Sequence, residues 1–320
     1  MSRAILKGIT QMKHLFGAKE GENMRKAFIT ISVIILGLAA LMLLSTLSAC
    51  GWDFERLTHP AITNTYEINE EFGDININID TSDVEFIATD ESTVRIVCTE
   101  AYKTTHGVRV EGGVLTIDEN DERRWYEKTS IIPVSFNVTV FLPRGEWGAL
   151  NIDSSTGDTE ISEGFTFASV NIKQSTGDIT LKSGVNGDII INTSTGDIAL
   201  LDAKAADKIK VKSSVGKQNF TNISCTSLES EAETGKAVLE NVMVEGKMSI
   251  ERNTGDVTLQ DVDAAEFFIE TDTGNVKGTI LSDKIFIVRT DTGKIDVPKT
   301  TSGGVCEITT STGNIKIKIK

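Results

Sequence analysis

The sequence predicts an all-β protein. It reads as a parallel β-solenoid (β-helix-like) of about nine 19–20-residue rungs, with an irregular N-terminal β cap and a signal or membrane segment in front. Three observations lead there: a Thr-Gly turn that recurs nine times, apolar residues that alternate in the same frame, and one uncharged apolar run near the N-terminus. Length and composition agree. With 320 residues, 39% hydrophobic and 24% charged, the chain can bury a sizeable core and is not disordered by composition.

The apolar run comes first. Residues 27–49 carry no charge, and Arg25 and Lys26 stand directly before them, the pattern of an export signal or a single membrane helix. The run ends Leu47-Ser48-Ala49-Cys50, which resembles the bacterial lipobox, so Cys50 is the expected lipidation site and first mature residue. An uncleaved helical anchor is the alternative, because the run is long enough to span a bilayer. A start at Met24 would give a signal of ordinary length, and codons for Lys19-Glu20-Gly21 can spell a ribosome-binding sequence. The expected layout is therefore 1–49 signal or anchor, 50–64 tether, 65–147 irregular β region and 148–320 repeats. Everything after the anchor is expected outside the cytoplasmic membrane, at the bacterial cell surface.

Segments of the irregular region alternate apolar and polar residues, as in Gly73–Ile79, Val84–Phe86, Val94–Val97 and Val134–Val140. Asp118–Lys128 is dense in charge and reads as a loop.

In the repeats, Gly157, Gly177, Gly196, Gly216, Gly235, Gly255, Gly274, Gly293 and Gly313 are spaced 20, 19, 20, 19, 20, 19, 19 and 20 residues apart. Apolar pairs precede nearly all of these glycines by seven and five residues (Val170/Ile172, Ile189/Ile191, Phe267/Ile269, Phe286/Val288), and others follow most of them by two and four (Ile198/Leu200, Val257/Leu259, Ile315/Ile317). Spacing of two puts both members of a pair on one face of a strand. Each repeat thus holds at least two short strands around a turn whose Gly accommodates positive φ. A unit that cannot bury its own apolar face does so by stacking, which is the solenoid. Sequential stacking places Phe267 against Phe286 inside. It also makes the last segment, with Lys316, Lys318 and Lys320 pointing outward, an open sheet edge guarded against self-association.

An export segment, an irregular β region ending in Leu142-Pro143, and Thr-Gly-Asp repeats near twenty residues together resemble the bacterial β-strand-repeat "putative adhesin" family, catalogued as a domain of unknown function. The resemblance covers about residues 65–320. It implies the architecture and an adhesin-like surface role, and it brings no catalytic residues.

Candidate chemistry is sparse. Asp158, Asp178 and Asp197 follow equivalent glycines and form the weak binding candidate, since stacked carboxylates can hold a cation. The next equivalents include Lys217, Lys236 and Lys294, which break any continuous metal column, so no metal site is assigned. Thr precedes the turn Gly in eight of nine repeats. The strand parity points these threonines inward, as a ladder of hydroxyls and not as an ice-binding face. Cys98, Cys225 and Cys306 have no spacing that pairs them, and Cys306 reads as a small core residue. Three histidines leave little for His-based catalysis. The net charge of 32 − 46 = −14 argues against nucleic acid as a partner.

The functional expectation is a membrane-anchored binding protein without catalysis or cofactor. Its partners would be the membrane, through the N-terminal anchor, and an envelope polymer or surface protein. The alternatives are a carbohydrate-active β-helix enzyme, marked by a carboxylate cluster in a groove, and an envelope-stress or structural accessory with no external ligand.

Overall fold

Strands of this chain do not lie in the stack in the order in which they are made. The computed structural model describes residues 61–101, 103–123 and 136–320. Cys50 and the apolar run 27–49 lie outside the described residues, and no described helix is long and apolar enough to cross a membrane. Residues 61–122 and 136–320 belong to one compact unit, built from 23 strands in a single continuous sheet.

The repeats form the predicted parallel solenoid. Their inward side chains are the alternating apolar residues: Val170, Ile172, Ile189, Ile191, Ile209 and Val211 are all at most 1% exposed. Each such side chain contributes roughly 1.5–3 kcal/mol, so burial grows with every rung.

The rung has three sides, one more than the two strands that the Thr-Gly frame reveals. In one turn, Ala237 and Leu239 face inward, then Val242 and Val244, then Met248, Ile250 and Arg252. In this turn the inward parity changes at the first two corners, between Arg252 and Val257 and between Leu239 and Val242. The Gly column makes the first corner. The second is a column of Asp202, Asn222, Asn241 and Asp261, whose φ values are 59°, 55°, 53° and 54°. Asn and Asp tolerate this left-handed conformation better than other side chains. Cross-rung bonds join the column, Asn222 Nδ2 donating to Asp202 Oδ1 (2.9 Å) and Asn241 Nδ2 to Asn222 Oδ1 (2.9 Å). The third corner follows a register shift between Val244 and Lys247.

Glycine is needed at the first corner chiefly because successive turns touch. A Cβ on Gly196 would lie 2.5 Å from the carbonyl carbon of Gly177, and one on Gly216 would lie 2.6 Å from that of Gly196. Gly274 and Gly293 meet the same obstruction without a left-handed φ, so positive φ alone does not explain the column.

At the C-terminal end the order departs from sequence. Strand Gly304–Thr312 pairs with Val257–Thr273 on one side and Lys284–Thr292 on the other. Ile315–Ile319 likewise lies between Val276–Ile280 and Ile295–Asp296. The last rung is therefore inserted beneath the one that precedes it. Three threonine hydroxyls trace the same order: Thr271 donates to Gly255 O, Thr310 to Gly274 O and Thr290 to Gly313 O. Of two sequence expectations, one fails here and the other fails in part. Phe267 and Phe286 do not stack, because Cys306 lies between them, and Phe286 is only partly buried. Lys316 does not guard an edge, because it is paired on both sides, to Lys277 and to Asp296; past Lys316 the strand is paired only to Val276–Ile280. On the neighbouring side Lys284–Thr292 is the open edge, paired only to Gly304–Thr312, and its Ile285 and Ile287 are exposed. The reason lies in Pro298. It follows the two-residue strand Ile295–Asp296 and has no N–H to donate, so this rung pairs poorly as an interior layer and suits the end. Lys284 points inward at the start of the edge strand, with its ammonium bonded to Asp263 Oδ1 (2.8 Å) and to Ser282, a device that discourages further strand addition.

The N-terminal end has the same out-of-order logic. Asp74–Ile79 and Ser82–Thr89 form a rung without a turn Gly, sandwiched between Gly145–Thr156 with Thr159–Ile161 on one side and Val114–Asp121 with Phe136–Pro143 on the other. Antiparallel strands then close this end: Thr104–Glu111 on Val114–Asp121, and Val94–Glu100 on Phe136–Pro143, with Ile62–Ile68 beyond it. Asp118–Asp121, expected in a loop, is strand, because pairing with Thr104–Gly107 overrides its charge density.

Candidate functional site

The residues that flank the turn glycines form a continuous ridge along the first corner. Asp158, Asp178 and Asp197 come together there as expected, at successive levels and exposed. Each carboxylate has a structural task. Asp158 Oδ1 accepts the N–H of Asp178 (2.8 Å), Asp178 Oδ1 that of Asp197 (2.7 Å), and Asp197 Oδ1 that of Lys217 (2.7 Å). Asp83 of the cap starts the chain of bonds by accepting from Asp158 N–H (2.8 Å). Farther along, Asp256 accepts from Asn275, Asn275 from Asn314, and Asn314 from Lys294. The column thus needs an oxygen acceptor toward the next level, which Asp and Asn both supply, and Lys fits where a donor suffices. Among the described residues no group of three or more His, Cys, Asp or Glu is placed to hold a metal ion.

Thr residues occupy two columns with opposite fates. Three residues before the Gly, Ser154, Gln174, Thr193, Ser213, Thr271 and Thr310 are buried. One residue before the Gly, Thr156, Thr176, Thr195, Thr234, Thr254, Thr273, Thr312 and Thr292 are exposed and in register. The parity expectation holds for the first column and fails for the second, because the backbone has already begun to turn. The ridge therefore presents an outward Thr at nearly every level, about 4.8 Å apart.

The buried polar column contains Arg252, which is 1% exposed. Its guanidinium donates to Ser230 O (2.8 Å), Gln218 Oε1 (2.9 Å), Ser230 Oγ (2.6 Å) and Glu251 O (2.6 Å). None of these partners is a carboxylate, and burial pushes its pKa down to about 10. It serves the core and not a surface.

The cap brings together a cluster that sequence reasoning missed. Ser82 Oγ lies 3.2 Å from His106 Nε2, and His106 Nδ1 lies 3.5 Å from Glu100 Oε1. This has the order of a nucleophile, base and carboxylate relay. It is closed, however: Ser82 is 0% exposed, and its hydroxyl also donates to Glu119 Oε2 (3.1 Å). Glu119 further accepts the backbone N–H groups of Asp80 and Thr81, and Glu100 accepts from His106 N–H and Asn64. The cluster ties five strands of the cap together. Burial lowers the His106 pKa, against the pull of Glu119 and Glu100.

Cys98, Cys225 and Cys306 are free and buried, each with its thiol pKa pushed up by burial to about 12, so they behave as small apolar residues.

Comparison with solved structures gives distant likenesses. One is a "putative adhesin" from Bacteroides fragilis, 14% identical, covering 81% of this chain and 97% of that one with a TM-score of 0.39. Another "putative adhesin", from Parabacteroides merdae, is 14% identical and covers 80% and 96% with a TM-score of 0.41. A "putative lipid binding protein" from Parabacteroides distasonis is 14% identical and covers 80% and 97% with a TM-score of 0.37. No curated protein matches. The family described as Toastrack DUF4097 matches residues 72–318, nearly the whole described solenoid and its cap, and the chain belongs to that family.

Proposed function

We propose that this protein is a membrane-anchored, extracytoplasmic solenoid that acts by binding, adhesin-like and without catalysis, and that the turn ridge is a principal contact surface. The observation that carries the reading is the ridge itself: exposed threonines in register over successive levels, beside an ordered row of Asp, Asn and Lys. Such a row offers many equivalent weak contacts, and a polymer or a crowded surface that engages several at once gains avidity from multivalency. The anchor is Cys50, and the partner is an envelope polymer or another surface protein.

Two experiments test this. Palmitate labelling marks the protein in cells, and Cys50→Ala removes the mark; a label that persists contradicts the anchor. Full-length protein retains whole cells or envelope polymer, and a variant with Lys in place of Thr176, Thr195 and Thr234 retains less. Unchanged retention contradicts the ridge, and shortened polymer chains in place of retention would favour the carbohydrate-active enzyme.

A further inference from the structure

The outward face of the strands that lead into the first corner holds a recess of about 170 Å³. It spans three levels of the stack. Asn76, Asn151 and Asn171 form one row across it, and Asn78, Asp153 and Lys173 form the next. Asn is a poor strand former, so four of them on neighbouring strands need a reason other than local propensity. Cross-strand bonding supplies part of one: Asn151 Nδ2 donates to Asn76 Oδ1 (3.0 Å), and Asn78 Nδ2 donates to Asp118 Oδ1 (2.8 Å). It does not use the rest. Among the described residues, the side chains of Asp153, Asn171 and Lys173 have no hydrogen-bond or ion-pair partner. A few levels on, the same two rows are closed on themselves, with Lys210 on Glu229 (2.7 Å) and Lys212 on Glu231 (2.8 Å). At the recess three neighbouring side chains, Asp153, Asn171 and Lys173, thus keep hydrogen-bonding capacity that the fold does not use.

We propose that this recess binds a neutral polyhydroxylated polymer, a glycan. A carboxamide offers two donors and an acceptor, which matches hydroxyl groups that both donate and accept. The one carboxylate and one ammonium in the lining cancel, so the recess has no net charge to attract an ionic chain. The protein's −14 charge repels polyanions besides. The inference rests on the binding function proposed above and assigns it a ligand class and a place.

The test uses the full-length protein titrated calorimetrically with cellohexaose, chitohexaose and maltohexaose, and with a hyaluronate hexasaccharide as the charged probe. At least one neutral hexasaccharide binds saturably. Asn151→Ala with Asn171→Ala weakens it about tenfold, as loss of one or two hydrogen bonds would. Ser249→Ala, on the same face farther along, leaves it unchanged. Asn171→Asp keeps the shape, adds a charge and also weakens binding, which guards against misfolding of the double variant. Binding of none of the neutral probes, binding of hyaluronate alone, or wild-type affinity in the Asn variants overturns the proposal. Retention of whole cells, measured in parallel, separates the two readings. Cells held equally by wild type and Asn variants leave the binding function standing and remove the recess, whereas no retention by wild type removes both.

Discussion

Replacing Gly196 by Ala tests why the repeat is paced by glycine. Gly196 has φ +144°, and the Cβ of an alanine there would lie 2.5 Å from the Gly177 carbonyl carbon. Carbon atoms in contact sit about 3.5–4.0 Å apart, so the two turns must separate by about 1 Å. Three hydrogen bonds hold those turns together: Gly177 N–H to Thr195 O (2.9 Å), Ile179 N–H to Asp197 O (2.9 Å) and Asp197 N–H to Asp178 Oδ1 (2.7 Å). Lengthening each by that much removes it, at about 0.5–1.5 kcal/mol apiece, or roughly 1.5–4.5 kcal/mol together. Gly145 is the matched control. Its φ is +145°, and a Cβ there would meet nothing within 4 Å. Gly145→Ala therefore carries only the backbone strain, about 1–3 kcal/mol, which Gly196→Ala carries as well. Urea unfolding followed by circular dichroism should show Gly196→Ala less stable than Gly145→Ala by roughly 1.5–4.5 kcal/mol. Equal losses at the two sites would refute the contact argument and return the explanation to φ alone.

Three further predictions concern charged and titratable groups. Asp178→Ala removes the acceptor for the Asp197 N–H and should cost about 1 kcal/mol, whereas Asp178→Asn, which mimics Asn275, should cost almost nothing in the same urea assay. Arg252→Met removes a buried cation whose pKa depression, from 12.5 to about 10, corresponds to about 3 kcal/mol, and it gives up the hydrogen bonds of the guanidinium. It should stay within about 1 kcal/mol of wild type, while Arg252→Ala, which also leaves a cavity, should lose about 3–5 kcal/mol; equal losses would show that the bonds outweigh the burial. Because His106 is depressed below its ordinary value of 6.5, the unfolded chain takes up a proton before the folded one. The contribution is present in full above pH 6.5 and declines as pH falls toward the lower folded value. Stability of wild type should therefore fall more between pH 7.5 and 5 than that of His106→Gln, and parallel curves would contradict the assignment.

Much of this fold is legible in the repeat. The turn glycines and their flanking apolar pairs mark two sides of every rung and the residues that fill the core. The third side was written in Asp202, Asn222, Asn241 and Asp261, spaced 20, 19 and 20, but Asn and Asp at a corner look like ordinary polar residues until their φ is known. The order of the last two rungs is harder to read, because Phe286, Val288 and Ile295 are chemically interchangeable with Cys306, Ile308 and Ile315; only Pro298 breaks the tie. The cap cluster was not readable at all. Ser82, Glu100, His106 and Glu119 lie on different strands, and nothing in their spacing says that those strands converge. The Asn recess fails for a related reason: Asn76 and Asn151 are 75 residues apart and become neighbours only because an early rung is sandwiched between two later ones.

Every outward column, and so any binding face, depends on the order in which the rungs stack, and disulfide trapping reads that order directly. Thr273, Thr292 and Thr312 are exposed, with Thr312 paired to both of the others. A disulfide spans Cα separations of 4.4–6.8 Å, which fits one level of about 4.8 Å but not two. Cysteines at 273 and 312, or at 292 and 312, should cross-link rapidly under mild oxidation, and cysteines at 273 and 292 should not. Rapid cross-linking of 273 to 292, with none between 273 and 312, would mean that the rungs stack in sequence order and would contradict the account.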